Sequence, residues 1–470
     1  MTNCLVFDLG AGSGRAMVAQ LGAGRISFAE VHRFSGIETR LPDGPHWDFA
    51  RLLNEVETGI RLAFQQFGSI GSIGVDSWGV DYVLVDADGQ LDPAPYHYRH
   101  PRSHRGYESF PIAPSELFSR TGAQILPVNT VYQLISASKD EPDRLSQSRY
   151  ALMIADAVNF HLTGKARANT TLARTSGLLS LAGEWDGDLC KIAGIEPTKL
   201  SELVEPGEIV GVLSETLADR RSGSIPVVAV AAHDTASAIC GLPLEQDDAF
   251  LICGSWSILG REVDHQITTV EAHQDAFGNE CGVDGRYAFL RSLNGLHLLQ
   301  KLRASWNHRN ATDVTFADMS AAARDAAARG VVQAINPSDA AFFDSDDLVG
   351  TIVQIFPELR TDLGSLTLCV YRGLVEDITQ SFSTLSRLTG DGIEKLRICG
   401  GGGQDALLCQ MISDRLGCEV HVGPIEASAW GNAILQLKAL GQITSLDQGR
   451  ELARLSGGIV VYRPDRPSKN

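Results

Sequence analysis

Cys4-Leu-Val-Phe-Asp-Leu-Gly-Ala-Gly-Ser-Gly-Arg15, running on into Ala-Met-Val-Ala-Gln-Leu21, sets a glycine and serine turn between two largely apolar runs. The pattern predicts a β-hairpin, because glycine reaches backbone conformations closed to other residues and so closes tight turns. Such a turn also leaves backbone N–H groups to face an anion. Phe250-Leu-Ile-Cys-Gly-Ser-Trp-Ser-Ile-Leu-Gly260 repeats the arrangement in the other half of the chain. One turn of this kind is weak evidence for a phosphate cradle, since most glycine-serine turns simply join strands. Two, each opening one half, point to a duplicated fold that holds a nucleotide.

A chain of 470 residues exceeds what one hydrophobic core usually supports, so two domains are expected. Hydrophobic residues at 44% and charged residues at 21% fit a globular protein. The formal charge of −17 argues against nucleic acid or an anionic membrane as a partner, whereas a phosphate site built of backbone amides leaves no such signature. No apolar run approaches the roughly 20 residues needed to cross a bilayer. No basic stretch followed by an apolar region marks a secretory leader. The nine cysteines include no C-x-x-C pair. Cys240, Cys253, Cys369 and Cys399 sit in apolar runs and read as small buried hydrophobes, so the reducing cytoplasm is the expected compartment.

Strand-like and helix-like segments alternate along the chain, the pattern of α/β architecture. Ser72-Ile-Gly-Val-Asp76 and Tyr82-Val-Leu-Val-Asp86 read as strands around a Ser-Trp-Gly-Val turn. Leu52, Leu53, Val56, Ile60, Ala63, Phe64 and Phe67 recur with a helical period. The apolar run from Ile225 to Ala232 predicts a strand covered on both faces. It ends at His233-Asp234-Thr235, where a helix of small residues begins. The junction after Leu242-Pro243 divides the chain into expected domains 1–243 and 244–470. In the second, Leu396-Arg-Ile-Cys leads into four glycines, Gly400 to Gly403. A helix to about Leu416, a strand from Glu419 to Val422 and a helix from Glu426 to about Ala439 follow.

The motifs DLGAGSGR, VDSWGVDYVLVD, LPVNTVYQL, AHDTASA, GSWSILG, GVDGRYAFL, ICGGGGQ and GPIEASAWGN occur in this order. Together they resemble the FGGY family of carbohydrate kinases over nearly the whole chain, and most of all those members that phosphorylate L-rhamnulose. The resemblance implies an α/β, actin/hexokinase-like fold: two duplicated, ribonuclease-H-like domains with a central cleft, the first for sugar and phosphate, the second for ATP. It implies transfer of the ATP γ-phosphoryl, with Mg²⁺, to a sugar hydroxyl.

Phosphoryl transfer passes through a loose, charge-spread transition state, so the protein positions reactants and neutralises charge. In Ala11, Gly12, Ser13, Gly14 and Arg15 the amides and the Ser13 hydroxyl can cradle phosphate oxygens, with Arg15 adding a fixed charge. Asp8, closing the first strand, is placed to hold Mg²⁺ directly or through water. Read alone, Asp8 serves equally as a turn cap and Arg15 as a surface ion pair; the resemblance favours the ligand roles. Asp234 opens a helix whose dipole favours its ionised form. It is the expected general base toward the sugar hydroxyl, against the bland alternative of a helix cap.

The resemblance implies His233, Asp234 and Thr235 as sugar contacts, with Gly79 contributing its backbone. Trp78 reads equally as core or as a surface for the sugar's apolar face. Ser255, Gln300, Gly401 and Gly402 match ATP contacts, glycines letting backbone lie close to adenosine. Two departures stand out. Ser292 occupies the place of a sugar-contacting Asn, and Asp405 stands where Asn is usual. The basic segment Tyr98-Arg-His-Pro-Arg-Ser-His-Arg105 reads first as solvated surface and second as a rim that tunes the sugar.

Two other classes stay open: a kinase of another ketose or polyol such as L-fuculose, and a non-catalytic sugar- or nucleotide-binding member. The presence of both Asp8 and Asp234 argues against the second. A nicotinamide dehydrogenase is disfavoured, because neither glycine run has G-x-G-x-x-G spacing at a strand-to-helix turn. The expected partners are a small-molecule sugar and ATP, with neither nucleic acid nor membrane; oligomeric state is left open.

Overall fold

The computed structural model describes residues 2–217, 224–330, 332–390 and 392–465. Two compact units emerge. The first comprises Met1–Pro243, Glu262–Phe289 and Ala427–Gly457, and the second Leu244–Arg261, Leu290–Glu426 and Gly458–Asn470. The chain first leaves the first unit after Pro243, and two later segments return to it.

The sheet of the first unit runs in the order Ile209–Val212, Pro226–Val228, Ser72–Ser77, Thr2–Leu9, Ser13–Gly22, Arg25–Ser35. Thr2–Leu9 pairs antiparallel with Ser13–Gly22, setting Asp8 opposite Arg15, and parallel with Ser72–Ser77, setting Asp8 opposite Asp76. The central strand is buried on both faces, which is why its sequence is a continuous apolar run. Strand alternation sends Leu5, Phe7 and Leu9 into one cluster with the helix Phe49–Phe67. Cys4 and Val6 point into another cluster with the helix Ala427–Ala439, and Asp8 shares their face.

That last helix packs against Asp234–Gly241 with almost no space between the backbones. A Cβ at Gly431 would lie 1.8 Å from the Ser237 carbonyl oxygen, and one at Gly241 would lie 2.0 Å from the Ala427 carbonyl oxygen. Gly431→Ala should therefore force the helices apart and destabilise the first unit by about 1–3 kcal/mol. Denaturant unfolding reads this directly; an unchanged midpoint would mean the pair relaxes without cost.

In the second unit Asp248–Cys253 pairs antiparallel with Trp256–Val263 and parallel with Lys395–Cys399, with Glu419–Val422 and Val460–Tyr462 beyond. A hairpin with a third strand parallel to its first arm thus occurs in both units, the duplication that the two glycine turns foreshadow. All nine cysteines are free, and Cys240, Cys253, Cys369 and Cys399 are buried as expected. Among the described residues no helix is long and apolar enough to cross a membrane.

Two local expectations need correction. The strand expected from Ile225 to Ala232 is confined to Pro226–Val228. The Ala229 amide bonds the Glu208 carbonyl at 2.8 Å, and its own carbonyl takes the Gly207 amide at 2.6 Å, so the backbone leaves the ladder there. The basic segment is not a plain solvated surface. Arg102 is 4% exposed, its guanidinium 3.5 Å above the Tyr96 ring and 3.2 Å from the Tyr82 hydroxyl. His100 is buried beside it, its Nε2–H donated to the Asp43 carbonyl at 2.8 Å. Arg99, His104 and Arg105 do face solvent. Two cationic-type side chains go inward because an aromatic face and backbone carbonyls are ready to receive them.

Candidate active site

At the tip of the first hairpin the Gly10 amide donates to the Ser13 carbonyl at 3.0 Å and closes the turn. Gly12 and Ser13 are exposed and Ala11 is half-buried, so the turn is open to a ligand. Gly14 is required by packing, since a Cβ there would lie 2.3 Å from the Phe34 ring. Arg15 donates to Asp8 Oδ2 at 2.7 Å. The Ser428 hydroxyl donates to the same oxygen at 2.8 Å. Arg15 is thus paired, but with the candidate metal ligand rather than with a surface acid.

Beside Asp8 in the sheet lies Asp76, fully buried. Its Oδ2 accepts a 2.6 Å bond from Asn432 Nδ2, while Oδ1 has no hydrogen-bond partner among the described residues. Burial, and then the charge of Asp8, push Asp76 well above the usual carboxylate range; the Asn432 bond works against them. In sequence Asp76 reads as the end of a strand and the start of the VDSWGVDYVLVD motif, with no role of its own. A lone carboxylate inside a strand buried on both faces was the available signal.

Asp234 is the first residue of the helix Asp234–Gly241, with His233 at the cap position. Its Oδ1 accepts the Thr235 amide at 2.6 Å and the Thr235 hydroxyl at 3.3 Å. The side chain keeps 34% of its surface exposed, so it can meet a substrate. Burial raises Asp234 above its ordinary value, and the neighbouring His233 charge holds it down.

His233 is pinned on three sides. Its amide donates to Thr171 Oγ1 at 3.1 Å. Its Nδ1 donates to Glu280 Oε2 at 2.8 Å, and its Nε2 lies 3.5 Å from Asp234 Oδ1. Burial alone would push the imidazole down, but the carboxylates of Glu280 and Asp234 outweigh it and raise it to about 9. A Cβ at Gly79 would lie 3.2 Å from His233 Nε2 and 3.0 Å from Thr175 Oγ1, so the turn backbone abuts the imidazole.

The next residue, Val80, has φ +66°, a left-handed conformation that a β-branched side chain seldom adopts. Its amide is held by Thr175 Oγ1 at 3.1 Å and its carbonyl by Thr130 Oγ1 at 2.6 Å and Gln133 Nε2 at 3.1 Å. Trp78 is buried, its ring lying 4.3 Å from that of Trp47 between centroids at a tilt of 42°, and it donates its indole N–H to Asp81 Oδ2 at 3.0 Å. Trp47 donates to the same oxygen at 2.7 Å. Burial pushes Asp81 up to about 6 despite these bonds.

In the second unit Gln300 Nε2 donates to Ser255 Oγ at 3.1 Å, joining two of the expected nucleotide residues. The tip of the hairpin also receives the Leu296 amide on the Gly254 carbonyl at 2.9 Å and the His297 amide on the Ser255 carbonyl at 3.1 Å. Gly402 is packed on the same strand, since a Cβ there would lie 2.2 Å from Cys253 Sγ, whereas Gly401 faces open space. Ser292 lies half-buried on the strand Tyr287–Asn294. Asp405 caps the helix Ala406–Leu416 through the Leu407 and Leu408 amides, both at 3.0 Å. It also accepts the Tyr371 and Ser320 hydroxyls. A carboxylate accepts all of these donors, which gives the departure from Asn a structural reason.

Comparison with known proteins points the same way. Residues 3–241 match the N-terminal domain of the FGGY family of carbohydrate kinases, and residues 249–440 match its C-terminal domain. Over 475 aligned positions the chain is 32% identical to a rhamnulokinase of Bacteroides thetaiotaomicron, covering 98% of this chain and 96% of that one. Its fold is similar to a ligand-bound xylulose kinase of Lactobacillus acidophilus, with TM-score 0.80 at 16% identity, covering 99% of this chain and 94% of that one. A Plasmodium falciparum glycerol kinase with ADP is similar at TM-score 0.78 and 15% identity, covering 99% of this chain and 94% of that one.

Proposed function

The chain belongs to the FGGY family of carbohydrate kinases, with the actin/hexokinase-like fold and ATP-dependent activity of that family, and from that premise we propose that it phosphorylates the C1 hydroxyl of L-rhamnulose, giving L-rhamnulose 1-phosphate. The observation that carries the reading is the seating of Gly79 against His233, the first residue of the His233-Asp234-Thr235 triplet, in a chain 32% identical to a rhamnulokinase over 98% of its length.

In this reading Asp234 takes the proton of the attacking hydroxyl. Raised by burial, it is a stronger acceptor than an ordinary aspartate, while the charge of His233 works against that rise. Ala11, Gly12, Ser13, Gly14 and Arg15 are the phosphate contacts of the first unit, and Ser255, Gln300, Gly401 and Gly402 are the nucleotide contacts of the second. Mg²⁺, when bound, neutralises phosphate charge, and Asp8 is the residue to hold it. A pair of neighbouring carboxylates, one with a buried oxygen lacking a partner, fits a hard cation.

A second reading, another ketose or polyol, is favoured by Ser292, whose hydroxyl is shorter than the amide it replaces. An ADP-release screen over ketoses, aldoses and polyols decides between them: L-rhamnulose should give the highest kcat/KM, and a clearly better sugar would overturn the assignment. Ser292→Asn should raise kcat/KM for L-rhamnulose by up to about tenfold, the worth of one hydrogen bond to a neutral group. A loss of activity in that variant, with a different sugar best for the wild type, would mean the pocket is built for that sugar.

A further inference from the structure

We propose that Glu280 is a positioning residue for phosphoryl transfer, accepting the Nδ1–H of His233 so that the imidazolium turns its Nε2–H toward Asp234 and the hydroxyl that Asp234 deprotonates. The inference rests on the kinase reading and extends it to a residue from a distant part of the chain.

The three groups form a line of alternating charge. Glu280 Oε2 lies 2.8 Å from Nδ1, and Nε2 lies 3.5 Å from Asp234 Oδ1. The first is a charge-assisted hydrogen bond; the second is a charge contact that leaves the Nε2–H uncommitted to Asp234. Exposure is greatest at Asp234, whose side chain is 34% exposed against 15% for Glu280 and 11% for His233, so the Asp234 end is where a substrate arrives.

Glu280 is itself firmly placed. It sits on the strand Gly278–Cys281. The adjoining Asn279 is fully buried, its amide donating to the Gly122 carbonyl at 2.7 Å and its Nδ2 to the same oxygen at 3.0 Å. On the other side Arg174 Nε reaches Cys281 Sγ at 3.4 Å. A carboxylate held this way both fixes the ring orientation of an imidazole and favours its charged form.

The charged groups facing His233 are Glu280 and Asp234; those acting on Asp234 include His233, Asp8 and Glu280, and Asp76 feels its charge in turn. With Glu280 ionised the line carries one net negative charge, and the imidazolium is the only positive member. In the reaction the hydroxyl O–H bond breaks and its proton passes to Asp234, while that oxygen bonds the γ-phosphorus and ADP departs with the former bridging pair. His233 keeps both protons throughout.

The sign of the pH dependence follows. His233 is raised, so its charge is present below its midpoint near 9 and lost as the pH rises through it. Histidine ¹⁵N NMR titration of the full chain, with the His233 signals assigned from their absence in a His233→Gln sample, measures that midpoint. In Glu280→Gln the hydrogen bond to Nδ1 can persist but the charge is gone, and the midpoint should fall by roughly one to three pH units. The alkaline limb of kcat/KM for the sugar should move down with it. Glu280→Asp restores the charge and should bring back most of the shift, and Glu280→Met, which removes the charge at similar volume, is read in the place of the Gln variant if that one fails to fold.

A midpoint in Glu280→Gln within about half a pH unit of wild type overturns the pairing, being less than a lost contact charge should produce. A midpoint that moves while the kinetic limb stays put overturns the role in phosphoryl transfer. A protein whose His233 shifts as expected but which phosphorylates no sugar keeps the pairing and loses the reaction, and with it the positioning role.

Discussion

Asp234→Asn is expected to lower kcat by about 10²–10⁴ while ATP binding survives, the loss typical of removing a general base. The substitution is nearly isosteric. The Asn carbonyl oxygen can still accept the Thr235 amide that Asp234 Oδ1 accepts at 2.6 Å, so the start of the helix keeps its bond. What disappears is the ability to take a proton. The expected loss is therefore of turnover and not of fold, and single-turnover phosphoryl transfer alongside calorimetric nucleotide binding separates the two. Retention of more than about a tenth of wild-type kcat would be too much for a lost base and would return Asp234 to the role of helix-start acceptor.

The second large effect concerns stability. Arg397 and Asp248 form an ion pair in the second unit, Nε to Oδ2 at 2.7 Å, with side chains 3% and 1% exposed. Asp248 Oδ2 also accepts the Glu245 amide at 2.9 Å. Asp248→Ala leaves the guanidinium without its buried counter-charge, with Glu245 at 3.6 Å, half-exposed and shared with Lys395, as the neighbouring acid. Breaking such a pair from one side costs about 3–5 kcal/mol, because a charge is stranded where water does not reach. Denaturant unfolding followed by a probe in the second unit measures it. A cost below about 1 kcal/mol would show that Glu245 closes onto the arginine and restores the pair.

Much of the first unit was legible along the chain because its signals are local. A glycine-serine turn between apolar runs has few alternatives to a hairpin, and both hairpins formed. The 3.6-residue period from Leu52 to Phe67 became the helix Phe49–Phe67, started by Asp48 accepting the Arg51 amide at 3.0 Å. Failures arose where backbone partners lie outside the local pattern. The run from Ile225 to Ala232 reads as one strand by composition, yet Ala229 finds its partners in the loop at Gly207 and Glu208. Arg102 reads as surface by residue type, yet Tyr96 and Tyr82 give it a buried seat.

The contacts that shape the site join residues far apart along the chain. Ser428 reaches Asp8 across 420 positions, and Asn432 reaches Asp76 across 356. Glu280 meets His233 from 47 positions away. By itself the sequence determined the two hairpins, the glycine run and the His233-Asp234-Thr235 triplet at a helix start, because each depends on backbone dihedrals and side-chain periods within a few residues. The tertiary structure alone decided that Asp76 and Asp234 are raised, where Arg15 points and what orients His233. Those properties come from desolvation and from Coulomb interactions over a few ångströms, and the distances exist only once remote segments have packed.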